Sequence, residues 1–301
     1  MQRKQDRQSK MHAHKTPNKG KQMFKQVWLT LCVWGSLSAA AYAQQIDLGV
    51  AAQYSGFFFG NVSKIPDIEG RMALGGDLDV GGASIGGRVP AGSTQASLVV
   101  GGNLVSFTGG TIWSNGHTNS WGEYVGTKSN NVAKYHDLRK VNVSPIDFAA
   151  ERTYLTILSQ QLRDTPPTGT VSQLYAEVTL TGSNRDIEFF NLKAEQVKST
   201  LNFALKNIKP TAYVILNVAA DEQRKLRLSI NMKAFAGRNQ RTLFNLHDTD
   251  VLNMLNVRVE GSVLAPYACV KDSSGHLEGT IVAASWDNSM EIGYGPFLPT
   301  K

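Results

Sequence analysis

The chain is poor in cysteine, with only Cys32 and Cys269 in 301 residues. A disulfide framework is therefore excluded, and Cys269 reads as a small apolar residue on a strand. Beyond Ala43 metal-ligand spacing is also missing. His117, His136, His247 and His276 form neither H-x-H nor H-x-x-x-H, so neither a metal nor a cofactor is expected. Beyond Ala43 no run approaches the ~20 apolar residues of a membrane span. Excess charge is lacking too: the chain has 31 Lys+Arg against 24 Asp+Glu, but residues 1–43 hold 8 basic and 1 acidic, leaving 23 of each. Nucleic-acid binding, which needs clustered basic charge, is excluded for that part.

What the first residues do have is a secretory signal. In "FKQVWLTLCVWGSLSAAAYAQQ" basic residues precede an apolar run from Val27 to about Leu37, and Ala41-Tyr42-Ala43 supplies small residues for cleavage. Residues 1–43 are thus expected to be removed after Ala43, and residues 44–301 to form one secreted domain. The long basic stretch ahead of the run leaves Met11 and Met23 as alternative starts.

Glycine pairs dominate residues 56–112. Leu74-Gly75-Gly76-Asp77-Leu78 superposes on Val100-Gly101-Gly102-Asn103-Leu104 at an offset of 26 residues. Short apolar pieces with glycine at the corners predict a parallel β-solenoid. A second repeat pairs "VEGSVLAP" (259–266) with "LEGTIVAA" (277–284), and "IEGRMAL" (68–74) echoes both. Period-two alternation stacks Val263 and Ala265, or Leu264 with its neighbours, on Ile281 and Ala283, with Glu260 and Glu278 at a solvent-facing corner. The two Glu-Gly coils are expected to end the solenoid.

Between the glycine-rich ends the period changes. Phe148, Leu155, Leu158 and Leu162 make one face of a helix over 145–163, with Ser144 as N-cap and Pro145 in the first turn. Strand-like runs "LYAEVTL", "DIEFFNL", "AYVILNV", "KLRLSINM" and "RTLFNL" follow, while "AEQVKSTLNFALK" fits strand or short helix. The predicted architecture is a mainly β, discontinuous solenoid with an inserted amphipathic helix along one side.

The order of "DLGVAAQYSGFFFGNVS", "DIEGRMALGGDLDV", "SLVVGGNLVSFTGG", the helix and "VEGSVLAPYACV…HLEGTIVAAS" resembles the choice-of-anchor A family of bacterial secreted and surface proteins. The resemblance covers nearly all of 46–297 and implies an extracellular, adhesin-like domain without catalytic residues. Such domains are commonly followed by an anchor. None is read after Phe297, so release or non-covalent retention is expected.

Chemistry-bearing patterns are few. Gly82-Ala83-Ser84-Ile85-Gly86 matches a nucleophile elbow, but "IGGRVPAGSTQAS" cannot open the required helix. Asp77 and Asp79 in "GGDLDVGG" read as turn and solvent-facing residues, not calcium ligands. Trp113, Trp121 and Tyr124 in "TIWSNGHTNSWGEYVG" are the candidate ligand-binding residues, since aromatics in a polar loop suit sugar stacking or a protein interface.

The function expected is a non-catalytic adhesin-like solenoid that binds an extracellular glycan or surface protein. Two alternatives stand beside it. The first is an ice-binding protein, whose flat face calls for ranked threonines, of which Thr179-Leu180-Thr181 is one short stretch. The second is a polysaccharide-degrading β-helix enzyme acting through Glu260 or Glu278.

Overall fold

Leu74 stands beside Val100, and Leu78 beside Leu104, as parallel strand partners in the computed structural model. The 26-residue offset is therefore one turn of a coil. Residues 45–300 are described, apart from 115–117 and 199–200. The expected signal and cleavage point, Cys32 and His117 lie outside them.

Three columns of parallel strands build the coil. The first runs Ile187–Lys193, Tyr213–Ala219, Thr242–Asn245, the starts of Ser262–Lys271 and Ile281–Asp287, then Gly56–Phe58, Met72–Leu74, Leu98–Val100, Gly122–Tyr124 and Leu138–Lys140. The second takes Lys225–Leu228, Val251–Met254, the ends of Ser262–Lys271 and Ile281–Asp287, Val62–Ser63, Leu78–Ile85 and Leu104–Ser114. The third takes Val257–Glu260, Gly275–Glu278, Glu291–Ile292, Asp67–Ile68 and the far ends of Leu78–Ile85 and Leu104–Ser114.

This order corrects one expectation. The two Glu-Gly coils lie mid-stack, because Ile281 pairs with Gly56 of the N-terminal coil. The chain climbs from Gly56 to Lys140, returns beside the stack as a helix, re-enters at Ile187 and climbs back to its own beginning. The echo phrase takes part in the junction, with Ile68 beside Ile292 and Ile292 beside Leu277.

Alternation along each strand divides the core in two. Val263, Ala265, Ile281 and Ala283 fill the coil interior, and Leu264 and Val282 between them point outward under the helix. Each of the Val, Leu and Ile side chains, fully removed from water, contributes about 1.5–3 kcal/mol. The corner glycines serve close approach: a Cβ on Gly76 would stand 2.2 Å from Asn61 Oδ1, and one on Gly102 would stand 2.4 Å from Asp77 Oδ1. Only glycine leaves room for the polar ladder at this corner. Asn61 Oδ1 accepts the Asp77 amide at 2.9 Å, Asp77 Oδ1 the Asn103 amide at 2.7 Å, and Asn103 Oδ1 the Thr127 amide at 2.8 Å.

The helix spans Phe148–Asp164, and its cap differs from the expected one. Asp147 is the N-cap, accepting from the amides of Ala149 and Ala150 at 3.1 and 3.0 Å. Ser144 instead accepts the Ile146 amide at 3.1 Å, in a turn that seats buried Ile146 against the outer core. Leu155, Leu158 and Leu162 are buried and Phe148 packs beside them. An asparagine ladder anchors this seam. Asn191, Asn217 and Asn245 are register partners; Asn245 Nδ2 donates to Asn217 Oδ1 at 2.8 Å and to the Ser159 carbonyl at 2.9 Å, and Asn217 Nδ2 donates to the Leu162 carbonyl at 2.8 Å.

The undecided stretch is both things at once: Ala194–Val197 is a helical turn and Asn202–Lys206 a strand. That strand joins Thr170–Leu174 and Glu177–Thr181 in a three-stranded side sheet. No helix among the described residues is long and apolar enough to cross a membrane.

Candidate binding surfaces

The first column is covered. Its outward residues Phe57, Ala73, Val99, Ile215, Leu243, Leu264 and Val282 lie in the outer core with the helix, Ile46, Leu48 and Phe297. The coil faces left open are therefore chiefly those of the second and third columns.

On the second column the outward register row reads Arg227, Asn253, Lys271, Asp287, Ser63, Asp79 and Ser106. Charge is abundant along it. Lys64 pairs with Asp287 at 2.8 Å, and Ser63 Oγ donates to the same carboxylate at 2.6 Å. These two bonds hold the Asp287 carboxyl below its usual range.

The third column carries two polar rows. Arg258, His276, Glu291, Asp67, Ser84 and Thr111 form one. Glu260, Glu278 and Glu69 lie two residues on. The solvent-facing corner expected for Glu260 and Glu278 is not what forms: their side chains retain 12% and 11% exposure, because cations of their own and neighbouring coils close over them. Glu278 meets Arg88 Nη1 at 3.1 Å, Arg258 Nη2 at 3.3 Å and His276 Nε2 at 3.0 Å. Arg88 reaches on to Glu69 at 2.7 Å, and Arg258 Nε to Glu260 at 2.6 Å. Burial, and then the negative charges of Glu291 and Glu69, raise the Asp67 carboxyl above its usual range. The sequence reading missed Arg88, Arg258 and His276, although Arg258-x-Glu260 and His276-x-Glu278 repeat with the coil period and period-two alternation puts each pair on one side.

Towards the Leu104–Ser114 end, charge gives way to Gly, Ser and Thr. Gly82 faces Gly109, Ala83 faces Gly110 and Ser84 faces Thr111. The Thr108 hydroxyl donates to the Gly81 carbonyl, and that of Ser129 to the Val105 carbonyl, each reaching a neighbouring coil. The side-chain oxygens thereby take up the spacing of the stack.

Residues 47–294 match the model of a family described as "Putative Ice-binding-like adhesive domain". The chain belongs to this family. No curated protein matches it. Among solved structures, an ice-binding protein from the Antarctic ascomycete Antarctomyces psychrotrophicus is 12% identical, with 84% of this chain and 98% of that one covered at a TM-score of 0.36. A glycosylated ice-binding protein from an Arctic yeast is 15% identical, covering 85% and 96% at 0.34. The ice-binding protein_1 DUF3494 domain of Shewanella frigidimarina is 13% identical, covering 82% and 94% at 0.33.

Within this adhesive domain the three aromatics singled out from sequence do not share one surface. Tyr124 is 7% exposed and lies in the coil interior. Trp121, three residues earlier on an alternating strand, points the other way, into the outer core. Its Nε1 donates to Glu123 at 3.0 Å, and Arg139 lies 4.5 Å over its ring. Trp113 is partly exposed on Leu104–Ser114, and its carbonyl accepts the Ser97 hydroxyl at 2.7 Å.

The remaining candidates are accounted for by the coil. Ser84 sits in mid-column between Asp67 and Thr111, with no helix after it. Asp77 belongs to the corner ladder and Asp79 is exposed. Cys269 is partly exposed and receives the Ser285 hydroxyl at 3.0 Å. Buried His136 stacks on Phe107 with ring centroids 4.0 Å apart, and burial lowers its basicity. Among the described residues no three His, Cys, Asp or Glu are grouped to hold a metal.

Proposed function

We propose that the chain is a secreted, non-catalytic adhesive domain that holds its target through the exposed second and third columns. The observation that carries this reading is the pair of charged register rows, from Arg227 to Asp79 and from Arg258 to Asp67. Fixed charges at coil spacing on a rigid wall suit a hydrated polar partner, an extracellular glycan or a surface protein. The signal at residues 1–43 and the resemblance to choice-of-anchor A proteins support an extracellular location.

Ice is the second reading, and the family description supports it at least as directly. The structural observation in its favour is the Gly/Ser/Thr surface around Thr108, Ser84, Thr111 and Ser129, where charge is sparser and the Thr108 and Ser129 hydroxyls are held by carbonyls of adjoining coils. The Thr179-Leu180-Thr181 stretch supports it less, since Thr179 is 8% exposed and bonded to Glu177 at 2.9 Å.

Two assays on the purified chain separate the readings. Binding to cells or glycan arrays that weakens with salt, together with no thermal hysteresis, is the expected result for the first. Thermal hysteresis abolished by Thr108→Lys would establish the second in its place.

A further inference from the structure

Where the third column begins at Val257–Glu260, the coil beneath splays away from it. Ser229 still follows the stack, its Oγ donating to the Leu255 carbonyl at 3.1 Å. From Ile230 onward the chain turns towards the side sheet. Asn231 bridges to Asn202, its amide donating to the Leu201 carbonyl at 2.8 Å, and Lys233–Phe235 forms a 3-10 turn. The separation opens a groove of about 510 Å³, within the ~300–1,000 Å³ usual for small-ligand sites. Val257–Glu260 pairs with Gly275–Glu278 along one edge and, among the described residues, with no strand along the other.

The groove offers several side-chain donors that have no protein partner among the described residues. Asn231 Oδ1 accepts the Lys233 amide at 2.9 Å, and Asn256 Oδ1 accepts the Ser274 hydroxyl at 3.1 Å, which leaves the Nδ2 of each available. Asn202 adds a third amide, and exposed Lys233 an ammonium without an ion pair among the described residues. The one carboxylate in the lining is already engaged, since Glu260 accepts from Arg258 at 2.6 Å. Beneath lie apolar Ile230, Met232 and Val257, at 1%, 1% and 3% exposure. With Lys233 and Arg258 against Glu260, the lining carries a net positive charge.

We propose that this groove binds a carboxylate-bearing oligosaccharide, with hydroxyl and carboxylate oxygens accepting from Asn202, Asn231, Asn256 and Lys233. An extended polar peptide would meet the open edge of Val257–Glu260 but places no main-chain anion at Lys233. The lining contains no aromatic ring, so recognition runs through hydrogen bonds and charge rather than stacking. The assignment goes beyond the adhesive reading and is independent of which coil face, if any, contacts ice.

The test is calorimetric titration of the intact chain with trigalacturonate, with its methyl ester and an extended polar peptide in parallel. Trigalacturonate is expected to bind, the ester more weakly, and salt to weaken the acid selectively. Lys233→Met and Asn202→Ala, both at exposed positions, should each weaken binding about tenfold with the unfolding temperature unchanged, and Lys233→Arg should restore most of it. Absence of trigalacturonate binding, equal binding of the ester, tighter binding of the peptide, or full affinity in both weakening variants would overturn the proposal. Each of those results leaves the adhesive reading of the coil faces standing.

Discussion

Val62 and Trp286 are direct parallel partners, a residue of the first coil laid against one of the last. Trp286 is 1% exposed, lies 5.6 Å from the Phe58 ring and donates its Nε1 hydrogen to the Asn288 carbonyl at 2.8 Å. The tryptophan therefore fills the junction where the two ends of the chain become one stack. Trp286→Ala is expected to cost about 3–5 kcal/mol. Because the junction is shared, unfolding should remain one transition at lower temperature, followed by circular dichroism. Two separated transitions would show that the N-terminal and C-terminal coils fold independently.

The corner ladder gives a second expectation. A methyl group at Gly76 would enter the space of Asn61 Oδ1 and lie 2.7 Å from the Gly60 carbonyl carbon. Backbone cannot yield there as a flexible side chain can. Gly76→Ala should destabilise by about 1–3 kcal/mol, whereas Gly81→Ala, with no atom within 4 Å of the added carbon, should be nearly neutral. Denaturant midpoints of the two variants check this; equal midpoints would remove the steric account.

Acid should find a specific weak point at Glu188, a fully buried carboxylate. Burial alone pushes its carboxyl up, but the Thr168 hydroxyl, the Arg185 and Ser183 amides at 2.9 and 2.8 Å and the Ser183 hydroxyl at 3.2 Å hold it net below the usual range. A depressed folded-state value means that its contribution is complete above the unfolded value of about 4.3 and is lost as pH falls through the folded one. Glu188→Ala, which leaves those donors buried without an acceptor, should cost about 3 kcal/mol at neutral pH. Glu188→Gln should cost less and flatten the stability profile on the acid side, read from unfolding temperatures between pH 7 and about pH 3.

Glu260 and Glu278 bear on catalysis. Their partners Arg88 and Arg258 are about half exposed, at 51% and 58%, so each ion pair is worth about 1 kcal/mol or less. Glu278→Ala is expected to lower stability slightly. The double variant with Glu260→Ala should leave polysaccharide products unchanged in a reducing-end assay. Turnover by the parent chain that disappears in the double variant would make these residues catalytic.

Much of this fold follows from local pattern. The 26-residue glycine repeat, the 18-residue Glu-Gly repeat and the period-two stacking of Val263 and Ala265 on Ile281 and Ala283 are one-dimensional signals of a coil, because each coil contacts chiefly its neighbours. Helical spacing of Leu155, Leu158 and Leu162 announced the covering helix for the same reason. The cap was misplaced because Ser144 and Asp147 both offer a side-chain acceptor before the first turn, and packing of Ile146 decided between them.

Binding features were less legible, since they depend on which coils become neighbours across long separations. Alternation alone sends Trp121 and Tyr124 to opposite sides, but that Tyr124 enters the interior requires the strands on either side of it. The burial of Glu278 by Arg88 joins residues 190 apart in the chain, and the donor-lined groove exists because one coil leaves the stack to meet Asn202. By itself the sequence determined the repeat unit, the polarity of each strand face and the presence of the helix, all of which are set by neighbours in the chain. Tertiary structure decided the order of coils in the stack and the places where they part, because hydrogen-bond pairing between distant strands is settled only when the whole wall closes.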